Sequence, residues 1–142
     1  MLSKKTKYAL HALTYLAQKD PKEPTLIVEI AEKAKIPRKF LESILLDLKK
    51  NGLLSSKMGK GGGYFLRLTP SEIKISNVIR LFDGPIALLP CTSINYYQKC
   101  DECTDEISCG LRKVFIDVRN ETLKVLENKT IQDIINQEGL ES

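Results

Sequence analysis

Four cysteines, Cys91, Cys100, Cys103 and Cys109, stand within nineteen residues, and the chain has no others. Thiolates gathered this way can ligate zinc, hold an iron–sulfur cluster, or oxidise to disulfides, and the compartment decides among these outcomes. The chain opens Met1-Leu2-Ser3-Lys4-Lys5 without the apolar core of a secretory signal, and no stretch is long enough to span a bilayer. A cytoplasmic protein without a membrane partner is therefore expected. In reducing cytoplasm, clustered cysteines more often bind metal or do redox chemistry than form structural disulfides.

The spacing is Cys-x8-Cys-x2-Cys-x5-Cys, and only the central Cys-x2-Cys matches a common zinc pattern. Spacing alone points to a metal without choosing one. Four thiolates around two ferric ions and two sulfides carry about −2, as does a four-thiolate zinc site. Asp101, Glu102, Asp105 and Glu106 surround the cysteines and would raise thiol pKa values in the absence of a cation. The same charges would lower a cluster's reduction potential, partly offset by Lys99, Arg112 and Lys113. A thiol/disulfide switch and four unengaged thiols in an acidic loop are the other readings.

Something must position this segment. A chain of 142 residues is long enough for one domain with a real core and short for two independent ones. The net charge of +4 conceals an asymmetry: residues 1–69 carry net +8 and residues 70–142 net −4. A basic half joined to an acidic one is the footprint of a nucleic-acid-binding unit attached to a unit with another task.

Ser3 is placed to cap a first helix running to about Gln18, with Tyr8, Ala9, Ala12, Leu13, Leu16 and Ala17 at helical spacing. Lys4, Lys5 and Lys7 crowd its first turn against the helix dipole, which a nearby phosphate backbone would explain. His11 reads as a surface or partly buried helix residue. Thr25 is expected to cap a second, short helix with Ile27, Ile30 and Ala31 on one face. Pro37 then opens a third, buried along Leu41, Ile44, Leu45 and Leu48 and stopped at Asn51-Gly52. Two short helices joined tightly, the second amphipathic, make a helix-turn-helix candidate.

Leu53–Ser56 and Tyr64–Leu68 read as strands of a hairpin wing around Lys57-Met58-Gly59-Lys60-Gly61-Gly62-Gly63. A phosphate-cradling nucleotide loop is excluded, since strands flank the glycines on both sides and Lys60 is followed by glycine. A short helix near Ser76–Phe82 precedes the cysteine segment. A helix of roughly eighteen residues then carries Leu111, Val114, Phe115, Val118, Thr122, Val125 and Leu126. Thr130 is expected to cap a last helix with Ile131, Ile134 and Ile135, and the polar tail Gln137–Ser142 to fray.

The chain resembles the IscR/NsrR/CymR family of winged helix-turn-helix bacterial transcription regulators. The residues that carry the likeness are Lys7-Tyr8-Ala9-Leu10, Ile30-Ala31, Ile36-Pro37, Phe40-Leu41-Glu42, Leu48-Lys49-Lys50-Asn51-Gly52-Leu53, Gly59-Lys60-Gly61-Gly62-Gly63-Tyr64 and Thr130-Ile131-Gln132-Asp133-Ile134. The resemblance covers nearly the whole chain. It implies a cytoplasmic homodimer, not an enzyme, that pairs through its long helix and binds double-stranded DNA at a palindromic operator.

At the sensor the likeness is looser. Cluster-binding members present three cysteines before the long helix, usually with five residues between successive ones. Cys103 and Cys109 fit that spacing, whereas eleven residues separate Cys91 from Cys103, and Cys100 is extra. The position of the histidine ligand of IscR-like members is Arg112, and that of the NsrR-like aspartate is Lys7. Neither ligand carries over, and Cys100 is the natural substitute.

The reading is a mainly α protein with a small β-hairpin wing. Residues 1–70 form the winged helix-turn-helix region, 71–110 a short helix and sensor loop, and 111–142 the dimerisation helix, a short helix and the tail. DNA contacts are expected from Arg38, Lys39, Glu42 and Ser43 on the third helix and from Lys57, Lys60, Gly61, Gly62, Gly63 and Tyr64 in the wing. An Arg38–Glu32 ion pair would be the bland use of Arg38. Cys91, Cys100, Cys103 and Cys109 are the expected ligands of an iron–sulfur cluster, 2Fe–2S before any other, with zinc second. Control by a partner protein or a thiol/disulfide switch is the alternative, and an iron–sulfur or redox accessory protein a further one.

Overall fold

The computed structural model describes residues 2–140. Six helices and one hairpin follow in the order α1 (Lys4–Ala17), α2 (Ile27–Lys33), α3 (Arg38–Lys50), β1 (Leu54–Lys57), β2 (Gly63–Leu66), α4 (Ile75–Asp83), α5 (Gly110–Leu126) and α6 (Ile131–Leu140). The chain is thus mainly α with a two-stranded wing. No helix among the described residues is long and apolar enough to cross a membrane.

α1 starts where the sequence places it, because the Ser3 hydroxyl accepts the Thr6 N–H at 3.2 Å. Leu13 of α1, Ile30 of α2 and Leu41, Ile44, Leu45 and Leu48 of α3 are fully buried in one core. Deleting any of these leucines costs about 2–5 kcal/mol, which is why α3 can spend its outer face on charge. α3 ends at Asn51, with Gly52 at φ 80° supplying the left-handed stop. Pro37 proves to be the cap that precedes α3 rather than its first residue.

Two local expectations are corrected. Thr25 does not cap α2; Leu26 occupies that position without a side-chain bond. Thr25 instead exchanges both backbone hydrogen bonds with Tyr64, each 2.8 Å, tying the wing to the start of the helix-turn-helix. The turn between α2 and α3 is made by Lys35 at φ 55°, with the Ile36 N–H donating to the Ala31 carbonyl at 3.0 Å.

α6 packs on α1, and its Ile131 is fully buried within the same core as the first three helices. The Thr130 N–H donates to the Asp133 carboxylate at 2.8 Å, which fixes the start of α6. The helix then continues to Leu140, so residues 137–140 are helical rather than frayed; the last two residues of the expected tail lie outside the described ones. Ile131 N–H to Ile73 O and Ile75 N–H to Lys129 O, both 3.0 Å, clip the α5–α6 junction to the segment before α4.

Candidate functional site

The outer face of α3 and the wing both expose basic residues. Arg38, Lys39, Glu42 and Ser43 are all exposed, opposite the Leu41–Leu48 stripe. Arg38 pairs with Glu42, one turn along, at 3.5 Å rather than with Glu32. Both partners are more than half exposed, so the pair is weak and can be exchanged for another acceptor. His11 is exposed on α1, and Lys5 there is held by Asp47 at 3.3 Å and lies over the Phe82 ring.

Strand register pairs Leu54 with Leu66 and Lys57 with Gly63, leaving residues 58–62 as the wing tip. Lys57 and Lys60 are exposed and form no ion pair among the described residues. Gly62 and Gly63 have internal reasons to be glycine. A Cβ on Gly62 would lie 2.2 Å from the Lys57 carbonyl oxygen, and one on Gly63 would lie 2.3 Å from that of Thr25. Tyr64 is half-buried against the core, with its backbone paired to Thr25.

The cysteines occupy the long connection between α4 and α5. Cys91 is buried in a one-turn 3-10 segment, Pro90–Thr92. Cys109 caps α5, its sulfur accepting the Arg112 N–H at 3.4 Å. Between them, Cys100 and Cys103 close a turn in which the Cys103 N–H donates to the Cys100 carbonyl at 3.1 Å. All four line a single cavity of about 550 Å³. Among the described residues no three metal-binding side chains are gathered closely enough to hold an ion as they stand.

The electrostatics of this cavity follow from its partners. The Cys100 thiol donates to Glu102 at 3.1 Å, and that bond holds its pKa above the usual thiol value. The Tyr97 phenol donates to Glu106, which likewise raises it. Arg112, in the cavity wall, has its Nε buried without a hydrogen-bond partner. A buried guanidinium N–H left unsatisfied is costly unless an anion or acceptor meets it. Four thiols and a cationic side chain lining one space fit an anionic, thiolate-ligated group.

Sequence reasoning missed Arg119. Its guanidinium crosses from α5 to the Thr92 carbonyl at 2.9 Å and so pins the turn that carries Cys91. The signal lay in the helix period, for Arg112, Arg119 and Leu123 share the inward face of α5, where Leu123 is the buried residue. The expected apolar stripe splits accordingly. Leu111, Val114, Val118 and Val125 are exposed, at 60%, 58%, 38% and 55%. Phe115 and Leu126, on the flank of the same stripe nearest Arg119, are half-buried.

Comparison with known proteins comes to the same architecture. A family model named Rrf2, described as iron-dependent transcriptional regulator, matches residues 2–137. A Rhodobacter capsulatus protein named as an rrf2-like HTH-type transcriptional regulator is 44% identical over 138 residues, covering 95% of this chain and 92% of that protein. The solved structure of CymR, the global cysteine regulator of B. subtilis, aligns with a TM-score of 0.78 at 26% identity, covering 96% of this chain and 97% of that one. The structure of T. potens IscR aligns at 0.75 with 25% identity, over 97% of this chain and 88% of that one.

Proposed function

Because this chain belongs to the Rrf2 family of transcriptional regulators, we propose that its affinity for an operator is set by a 2Fe–2S cluster held on Cys91, Cys100, Cys103 and Cys109. The observation that carries the reading is the convergence of all four cysteines, with the Arg112 side chain, on one cavity. When bound, the cluster would supply a one-electron, oxidation-sensitive centre whose loss or reduction changes the charge in the loop. The chain's own residues do the rest. Arg112 balances thiolate charge, Cys91 and Cys109 anchor the two ends of the loop, and Arg119 fixes the first anchor to α5.

In this reading DNA is bound by a homodimer. The exposed Leu111, Val114, Val118 and Val125 seam pairs with its copy, and the two-fold axis presents two α3 helices to the half-sites of a palindromic operator. Arg38 and Lys39 serve as donors to base edges or phosphate, Glu42 accepts from cytosine, and Ser43 hydrogen-bonds nearby. Lys57 and Lys60 bring charge to the flanking backbone, and Gly61, Gly62, Gly63 and Tyr64 shape the tip that approaches it. The loop alters affinity to the extent that an occupied cavity favours one arrangement of the two winged heads over another.

Anaerobic purification with a visible spectrum and iron, sulfide and zinc analysis tests the cofactor. Stoichiometric iron and sulfide with charge-transfer absorption support it. Stoichiometric zinc would give the site a structural role, and protein without metal after reconstitution would leave a thiol switch as the survivor. Specific, salt-dependent binding to a duplex that differs between loaded and stripped protein ties the site to regulation.

A further inference from the structure

We propose that Cys100 and Cys103 join in a disulfide when the loop holds no cofactor, which makes the Cys-x2-Cys turn an oxidation site for small-molecule disulfides. The proposal deepens the cluster reading, because these two sulfurs are half of the ligand set assigned above.

The backbone favours this pair. The Cys103 N–H to Cys100 carbonyl bond closes a turn over residues 100–103. The first and fourth Cα atoms of such a turn lie within about 7 Å, and a disulfide spans Cα separations of about 4.4–6.8 Å. Bridging range is thus reached before any side chain moves. Access points the same way, since Cys100 is exposed and Cys103 half-buried, whereas Cys91 is buried. The other two cysteines are also tied down. The residue after Cys91 is held by Arg119, and the sulfur of Cys109 caps α5. A bridge to Cys109 would disturb the cap of α5 and one to Cys91 would have to reach a buried sulfur, whereas bridging Cys100 gives up only its exposed bond to Glu102.

The chemistry is thiol–disulfide exchange. The thiolate of one cysteine attacks the small disulfide, whose S–S bond breaks to release one small thiolate and leave a mixed disulfide on the protein. The sulfur of the other cysteine then attacks the protein-side sulfur, forming the Cys100–Cys103 bond and expelling the second small thiolate. Two electrons pass from the protein sulfurs to the small disulfide, and the two protein thiol protons end on the two small thiols. A bridged pair offers no thiolate to a metal, so the oxidised loop is closed to a cofactor until a reductant reopens it.

The full chain, stripped of metal, is incubated with glutathione disulfide, alkylated and digested with proteases that cut after lysine and after glutamate. Cleavage after Lys99 and Glu102 puts Cys91, Cys100 and Cys103 on separate fragments, so a Cys100–Cys103 bridge holds its two fragments together until reduction. We expect those fragments linked, Cys91 and Cys109 alkylated, and glutathione trapped on Cys103 in a Cys100→Ser variant. The oxidised protein should take up no iron or sulfide, and dithiothreitol should restore whatever uptake the reduced protein has. A bridge that includes Cys91 or Cys109, or four alkylated cysteines, overturns the proposal. Linked fragments in a protein that binds no iron when reduced would sustain the disulfide and sink the cluster; iron uptake without linked fragments would do the reverse.

Discussion

Removing the two wing lysines should weaken DNA binding by an amount that salt reveals. Lys57 and Lys60 are exposed and carry no ion pair among the described residues. Their loss therefore leaves the fold within about 0.5 kcal/mol of the parent. Each phosphate neutralised contributes about 0.9 to the slope of log affinity against log salt. Two contacts per wing give about 1.8, which near 0.1 M salt, against a 1 M reference, is roughly 60-fold in affinity. A dimer engaging both wings would double the slope change to about 3.6. Fluorescence anisotropy on operator and scrambled duplexes, over a series of salt concentrations, reads the quantity directly. Lys57→Ala/Lys60→Ala should lower affinity for both duplexes together, since phosphate contacts carry no base information. An unchanged slope would refute the wing as a DNA contact. Gly62→Val is a poor substitute, because its Cβ would meet the Lys57 carbonyl and distort the wing itself.

Four of the residues described above predict further outcomes. Cys109→Ser keeps an N-cap for α5, so circular dichroism should be unchanged while charge-transfer absorption is lost; an intact visible spectrum would remove Cys109 from the ligand set. Arg119→Ala should speed hydrogen exchange around Thr92 and lower iron occupancy after reconstitution, and normal exchange there would deny it a positioning role. Val118→Glu, in the middle of the exposed seam of α5, should yield a monomer by sedimentation; a persisting dimer would place the interface elsewhere. The Thr130 backbone N–H holds the Asp133 carboxyl below its usual pKa. Its stabilising effect is present above the unfolded value near pH 4 and lost as pH falls through the lower folded one. The urea midpoint of Asp133→Asn should sit below the parent's at neutral pH and converge with it in acid.

What the sequence revealed was set by local physics. The buried stripe of α3, its glycine stop and the Ser3 cap depend on residues within a turn or two and lie where periodicity puts them; the hairpin forms too, but its strands gain Lys57 and Gly63 and lose Leu53, Arg67 and Leu68. Thr25 went astray because it is a good cap whose backbone is claimed by Tyr64, a partner distant in sequence. The stripe of α5 is one continuous arc in the sequence, and only the packing around Leu123 and Arg119 shows that its Phe115–Leu126 flank is half-buried while the seam is exposed. The polar end of α6 remains helical because a capped start and the buried Ile131 fix its first turn. The cysteines announced themselves by type and spacing. Their convergence on one cavity rests on loop closure, and of the three cations expected to offset the acidic residues, Lys99 and Arg112 line that cavity.

In the proposed reading, a signal in the loop would reach the DNA-binding head through two sets of neighbours. On one side, Arg119 joins the Cys91 turn to α5, and Arg80 of α4 meets Glu127 beyond the C-terminal end of α5 at 3.3 Å. On the other, Tyr96 lines a groove of about 430 Å³ with Asn51, the residue that ends α3, and Leu53, which leads into β1. Contraction of the loop around a group smaller than the cavity would pull on both ends of this frame. The head shares one core with α4 and α6, and its wing is clipped to Thr25, so it would move with them as a body rather than deform. A shift in affinity then requires only that the occupied loop favour one separation of the two α3 helices over another. A tenfold effect corresponds to about 1.4 kcal/mol of such preference. That is small beside the burial that holds α3, which is how a surface loop can tune binding without endangering the fold.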